Sequence, residues 1–440
     1  MSVESEILDI IRPSKEESEY IDSIAEELME KVKEYIRANG IDAEPRYVGS
    51  VAKGTNLKDP DLDLFLLFPT DANPGYMTEI GLKMGAELID GRKMYADHPY
   101  TRGIYRGLEV DLVPCFHILT TDKLMSPVDR SPFHAEYIIS HADARMCDEI
   151  RLMKRFMKGI GAYGAEPDVR GFSGYMCELI TIRYGGFVEA LKAATSWKDG
   201  TVIILEESGP AIKAPLVLYD PVDNKRNVAS AVHADTLSRF ILACKAYLKA
   251  PDKRFFFPSE RIPLSDETIR RIIGSRGSRL ITVTFDKPHI NEDNLHAQVW
   301  RTEYSLAGKL NAFSFNVLRA VHMIAGEKIV YVFELEHDRL PKAQRHTGPP
   351  VWAKSGDAFV KRWEDNPLGR PYVEDGVWTV IRERLFADAG PMLRKEAPIA
   401  GFGKDFDMDS MAIIGHEETF TSVDRSILTE LLDPMYPWEI

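Results

Sequence analysis

Apolar positions recur at helical spacing in the first forty residues, where Ile21, Ile24, Ala25, Leu28, Val32 and Ile36 make one stripe. Ser14 with Glu17 three residues on forms a capping box and Gly40 supplies a stop, so the pattern predicts one long helix between them. A strand over 44–48 follows, then the run Leu64-Phe65-Leu66-Leu67-Phe68, whose length and lack of polar interruption predict a buried strand opening at Asp61. A helix is expected over roughly 76–89, and two strands near 92–105 and 108–113, separated by the turn Arg106-Gly107. This order predicts a small α+β domain over residues 1–142.

Residues 143–258 read differently. Helical spacing predicts helices near 143–159, 173–184, 187–195 and 233–249, with short strands at Val202–Leu205 and Leu216–Tyr219. The Pro/aromatic stretch from Pro251 to Pro258 predicts a boundary. In the third region, 259–440, Leu280–Phe285 and Lys328–Leu335 are strong strands around a helix over about 293–311. That alternation suggests a sheet-plus-helix module comparable with an RNA-recognition fold, its aromatics core rather than stacking platform because no Gly/Phe signature of that class is present. Residues 386–440 carry no legible pattern.

Composition narrows the class. With 44% hydrophobic and 28% charged residues the 440-residue chain is an ordinary globular protein with room for two to four domains. No 18-residue apolar run is present, so no membrane span is expected, and the acidic start Met1–Glu6 does not read as a signal peptide. Cys115, Cys147, Cys177 and Cys244 lack Cys-x-x-Cys spacing and sit among apolar residues, which predicts buried thiols of a reducing, cytoplasmic protein. The net charge of −13 argues against a nucleic-acid partner, but it is uneven. Residues 1–40 hold 11 acids and 5 bases, whereas residues 251–280 hold 7 bases and 4 acids. A basic track is therefore compatible with an acidic total. Solvated helix faces explain either cluster equally well.

The densest chemistry lies in the first region. Gly49-Ser50 closes the run Tyr47-Val48 and is expected to open a short helical stretch (Val51-Ala52-Lys53) whose N–H groups can face a phosphate. Asp61 and Asp63, two apart on an extended strand, share one face. Asp111, flanked by Val110 and Leu112, is costly to bury without a partner. A metal shared with Asp61 and Asp63 removes that cost, and an oxygen-only set of few carboxylates suits Mg²⁺.

Gly49-Ser50, Asp61-Leu62-Asp63, His98-Pro99-Tyr100, Glu109–Cys115, Pro132-Phe133-His134, Tyr163–Glu166, Val169–Tyr175 and Asp220–Ala229 together resemble the archaeal-type, or class I, CCA-adding tRNA nucleotidyltransferases of the polymerase-β-like superfamily. The resemblance extends over most of the chain, with fragments such as Asp293-Asn294-Leu295 and Gly348-Pro349-Pro350 in the C-terminal half. It implies a polymerase-β-like palm head at 1–142, a mainly helical base-recognition domain at 143–258 and a tRNA-binding region at 259–440. It also implies template-independent addition of C, C and A to tRNA 3′ ends from CTP and ATP, with recognition of the acceptor stem and T-arm. Asp61 and Asp63 would bridge two Mg²⁺ ions and Asp111 would bind one of them. Gly49, Ser50, Lys53, His134, Lys154 and Tyr163 would hold phosphates, His98 would line the base and sugar pocket, and Arg226 would read the incoming base. Lys53 departs from the family, which often has Arg there. Each of these last residues has a second reading from sequence: His134 as a capped loop residue, Arg226 as a bridge to Asp220 or Asp223. A poly(A) polymerase and a non-catalytic RNA-binding protein are the alternative functions, and a homodimer is left open.

Overall fold

The computed structural model describes residues 2–95 and 99–440. The contacts divide the chain into two units, 1–260 with 436–440, and 261–435. The first unit begins with helices α1 (Val3–Ile11) and α2 (Lys15–Ala38). Ser14 and Glu17 form the expected capping box on α2, and all six residues of its apolar stripe are buried. Strands β1 (Glu44–Tyr47) and β2 (Leu62–Phe68), helix α3 (Pro74–Ile89) and strands β3 (Arg92–Tyr95), β4 (Pro99–Tyr105) and β5 (Leu108–Phe116) follow. The stretch read as one strand near 92–105 is thus two, antiparallel, with Arg92 opposite Arg102. The five strands make one sheet in the order β1-β2-β5-β4-β3. Its β2–β5 pair is parallel and sets the site, because Asp63 lies directly opposite Asp111.

The sheet packs Leu62, Leu64, Leu66, Val110 and Leu112 against the α2 stripe and against Met77 and Met84 of α3. After α4 (Ser131–His141), helices α5 (Ala144–Gly159), α6 (Gly174–Tyr184), α7 (Phe187–Ala194) and α8 (Ala234–Lys249) enclose a second core with Phe156, Phe172, Phe187, Phe240 and Tyr247. A small sheet, β6 (Thr201–Ile203), β7 (Leu216–Asp220) and β8 (Asp223–Asn227), lies between α7 and α8 in the chain. Phe255 and Phe256 are buried in this core, and Phe255 stacks on Trp438, so the last residues return to it. All four cysteines are buried and unpaired.

The second unit runs α9 (Asp266–Arg276), β9 (Arg279–Asp286), α10 (Glu292–Ala312), β10 (Val317–Ala325) and β11 (Lys328–Leu335), then β12 (Ala343–Pro350), α11 (Gly356–Trp363), β13 (Tyr372–Glu374) and β14 (Val377–Glu383). It closes with α12 (Ala389–Glu396), β15 (Ala412–Ile414), α13 (His416–Ser422) and α14 (Arg425–Leu432). The sheet order β10-β11-β9-β15, with every neighbour antiparallel, is the split β-α-β arrangement of ferredoxin-like folds. Its aromatics Phe285, Tyr331 and Phe333 are core, as expected. Both faces of this sheet are covered: α10 and α12 pack on one, and α9 and α14 bury Leu280 and Val332 on the other. No open sheet face is left among these strands on which bases could stack.

Candidate active site

Gly49 sits where it does because nothing larger fits. A Cβ on it would fall 1.5 Å from Oδ2 of Asp63. The Asp63 carboxylate therefore lies against bare backbone, with Val48 N–H donating to the Asp63 carbonyl at 3.1 Å. Residues 50–54 do not form the expected short helix. They make a turn whose hydrogen bonds change spacing at each step, Lys53 to Gly49, Gly54 to Val51 and Thr55 to Ser50, and Gly54 adopts φ +66°. The mixed spacing steers Thr55 inward to a buried carboxylate, which a continuing helix would not do. Among the described residues the N–H groups of Ser50, Val51 and Ala52 have no acceptor in the protein. Successive unpaired amides of this kind make an anion-binding concavity.

Asp61 is exposed and Asp63 is mostly covered. Burial, then repulsion from Asp61 and Asp111, pushes the Asp63 carboxyl up to about 7. Asp111 is buried with a partner that sequence reasoning missed: Arg102, opposite it on β4, donates from Nε and Nη2 to its two oxygens at 2.7 Å each. Arg102 also reaches Glu109 at 3.2 Å. With Asp111 drawn toward Arg102, no three side chains among the described residues are already gathered as a metal cage. The charge balance nevertheless fits a cation: Asp63 faces two further carboxylates, and the pull of Lys53, already paired with Glu178, and of Arg102 does not offset burial and that repulsion. The donor set, all carboxylate oxygen, suits Mg²⁺.

Lys53, Lys154 and Thr55 converge on Glu178 of α6, a second residue the sequence reading passed over. Lys53 Nζ donates to one carboxylate oxygen at 2.7 Å, and Lys154 Nζ and Thr55 Oγ1 to the other at 2.8 and 2.6 Å. Burial alone would raise Glu178, but the two ammonium groups outweigh it and hold the carboxyl at about 2. Lys154 has all three N–H groups occupied, the others by the carbonyl and hydroxyl of Thr55. Lys53 spends one N–H on Glu178 and lies 6.0 Å over the Tyr175 ring. The signal for Glu178 was present, since an acid alone in Met176-Cys177-Glu178-Leu179-Ile180 raises the same question as Asp111.

A second hub surrounds Asp220, which is fully buried. It accepts from Arg226 Nη1 at 2.8 Å and Tyr175 Oη at 3.2 Å, and His134 Nε2 lies 2.9 Å from it. The His134 ring stacks on Tyr175 at 3.9 Å. Burial outweighs the pull of Asp220 and lowers His134, leaving its ring neutral at neutral pH. Arg226 is 36% exposed, so one donor anchors the guanidinium while others face outward. Tyr163 is placed near both hubs: its hydroxyl lies 2.8 Å from where a Cβ on Gly174 would stand, and burial holds its proton on. The site thus brings together Gly49, Ser50, Lys53, Asp61, Asp63 and Asp111, with His134 and Arg226 joined through Asp220. His98 lies outside the described residues.

Comparison with known proteins follows this division. Residues 28–134 match the nucleotidyltransferase domain, 148–257 the second domain of tRNA nucleotidyltransferase, and 276–411 the C-terminal domain of CCA-adding enzyme. The CCA-adding enzyme of Methanoregula boonei is 34% identical over 88% of this chain and 85% of its own length. The chain belongs to the CCA-adding enzyme family. The Picrophilus torridus member is 35% identical over 87% of this chain and 86% of that one. Among solved structures, the Cid1 poly(U) polymerase covers 57% of this chain and 94% of its own at 14% identity, with a TM-score of 0.45. Family membership makes the chain a nucleotidyltransferase, and no helix among the described residues is long and apolar enough to cross a membrane.

Proposed function

We propose that this member of the CCA-adding family extends tRNA 3′ ends by C, C and A, using CTP and ATP without a template and releasing pyrophosphate. The observation that carries the reading is the β2–β5 register, which sets Asp63 opposite Asp111 with Gly49 against the Asp63 carboxylate. Asp61, Asp63 and Asp111 would hold Mg²⁺. When bound, the ions supply charge for the attacking 3′-oxygen and the leaving pyrophosphate in an in-line displacement at the α-phosphate. Ser50 and the open amides of residues 50–52 receive the β- and γ-phosphates, and Lys53 adds a cation at the same end. Arg226, fixed by Asp220, presents its remaining N–H groups to acceptor edges of cytosine or adenine. The reaction belongs in the cytoplasm, which four unpaired buried thiols support.

Recognition of tRNA is assigned to the second unit, but not to all of its arginines. Arg276 is anchored to buried Glu334 at 2.8 Å and to the Leu432 carbonyl, while Arg270 stacks on Phe420 and reaches Glu417. Arg271 and Arg362 are exposed and better placed to meet phosphate, whereas Arg345 is paired with Glu374 at 2.7 Å. The test is incubation with tRNA lacking its 3′ CCA and with labelled CTP and ATP, separately and together. Two C additions with CTP alone, and A only after both, is the expected result. Unlimited A addition would make the chain a poly(A) polymerase, and no incorporation would leave it an RNA-binding protein.

A further inference from the structure

We propose that the first turns of α6 act as a ruler for the nucleotide, Glu178 setting the triphosphate end through Lys53 and Tyr175 setting the base end through Asp220 and Arg226. The proposal rests on the roles just given to Lys53 and Arg226. Tyr175 and Glu178 are three residues apart on one helix and so stand side by side. Glu178 holds Lys53 at 2.7 Å, and the Tyr175 ring lies 6.0 Å beneath the same ammonium. The Tyr175 hydroxyl meets Asp220 at 3.2 Å, and the other Asp220 oxygen holds Arg226 at 2.8 Å. One helical turn therefore touches Lys53 directly and reaches Arg226 through Asp220, the two groups that would grip opposite ends of the nucleotide.

The two lysines on Glu178 do different work. Lys154 is saturated by protein acceptors, so it buttresses Glu178 and Thr55. Lys53 retains two N–H groups beyond its bond to Glu178. Its position is fixed before any phosphate arrives, which removes side-chain entropy from the cost of binding. Glu178 is thus a positioning residue. A plain structural ion pair would tie the 49–55 turn to α5 and α6 equally well, but would leave nucleotide affinity alone.

The two readings separate in kinetics with CTP and ATP, and in inhibition by inorganic tripolyphosphate, which has no base. Glu178→Gln is expected to raise KM for CTP and ATP by the same factor, about tenfold, on the scale of one charge-assisted hydrogen bond. kcat and the order of base preference should stay near wild type, and tripolyphosphate should inhibit more weakly. Because Gln leaves Lys154 buried without a counter-charge, Lys154→Met and Glu178→Gln/Lys154→Met are made alongside; stability should recover in the double variant while its KM stays above that of Lys154→Met. Tyr175→Phe keeps the ring but loses the bond to Asp220, so it should admit UTP and leave tripolyphosphate inhibition unchanged. KM and tripolyphosphate inhibition in the folded double variant equal to those of Lys154→Met would overturn the proposal, as would a changed base preference in it. If Lys53→Met leaves KM unchanged, the reading of Lys53 itself has failed; if Arg226→Ala leaves base choice unchanged, that of Arg226 has.

Discussion

Two ionic clusters in the first unit are treated in opposite ways. At Glu178 one buried carboxylate meets two ammonium groups and a hydroxyl, and is held at about 2. At the edge of β2 and β5 three carboxylates have one guanidinium bonded among them, and despite the pull of Lys53 and Arg102 Asp63 is pushed up to about 7. Burying a charge is costly unless it is paired, so a fold able to compensate Glu178 completely has no stability reason to leave Asp63 uncompensated a short distance away. Such a deficit marks where the missing charge comes from outside. In the proposed function the first cluster builds the site and the second would perform its chemistry.

The sharpest break of this contrast is to remove one acid from the deficient cluster. Asp63→Asn should lower both C and A addition by roughly 10³-fold or more, the scale of losing a preorganised electrostatic partner of the transition state. Its melting temperature in metal-free buffer should equal or exceed that of wild type, because a repelled charge has gone. Incorporation of labelled CMP and AMP, with thermal melts in EDTA, reads both. Near wild-type incorporation would remove Asp63 from the site. The mirror experiment, Glu178→Ala, strands two buried ammonium groups and should cost about 3–5 kcal/mol of stability by urea titration, as for a broken buried ion pair.

Next in size is a pH effect. The folded state holds the Asp63 proton more tightly than the unfolded chain, whose carboxyl has its ordinary value near 3.8. The folded state therefore holds more of the Asp63 proton between those values, and the contribution of Asp63 to stability must fall as pH rises from about 4 to about 7, against the rise that the lowered carboxyls such as Glu178 and Glu27 contribute at its acid end. Saturating Mg²⁺ should flatten that slope, and Asp63→Asn should abolish it. Melts of the metal-free wild type and Asp63→Asn across this range decide the matter, and a wild-type stability that does not fall relative to Asp63→Asn through the window would contradict it.

How much of this was legible in sequence differs between the two clusters for a physical reason. Asp61 and Asp63 declare themselves by period-two spacing and Asp111 by its apolar flanks, since both signals are local. Pairing β2 with β5 in parallel, which makes them one site, is a tertiary fact. Arg102 and Glu178 act only through residues 9 to 125 positions away, so although apolar flanks mark Glu178 as needing a partner, nothing local says which partner either one has. The expected helix at 51–53 failed because Thr55 is pulled toward Glu178. In the second unit β9 and β11 are buried enough to show as apolar runs. By contrast β10 and β12 are half-exposed, and β12 ends in Pro349-Pro350 on a sheet edge, so it reads as a basic loop. The capped helix α2, where cap, stripe and stop all agree, was legible to within two residues.

The smallest and most discriminating perturbation lies at Arg102, the cation bonded directly to the acid cluster. Its fork occupies one lone-pair direction on each Asp111 oxygen, and a carboxylate oxygen has a second to offer. Two outcomes follow from that geometry, with opposite signs. If Arg102 mainly neutralises the acids until a metal arrives, its positive charge opposes Mg²⁺. Arg102→Gln should then tighten Mg²⁺ by a few-fold, consistent with about 1 kcal/mol for a partly solvated charge pair. It should also steepen the pH slope of the metal-free protein, since Asp63 loses a nearby cation. If Arg102 mainly orients Asp111, the same substitution weakens Mg²⁺ and leaves the slope alone. The electrostatic contrast between the clusters favours the first outcome. The Mg²⁺ midpoint of the thermal shift, compared between wild type and Arg102→Gln at one pH, reads the sign without turnover, and a weakened midpoint would show that Asp111 depends on Arg102 for its geometry rather than its charge.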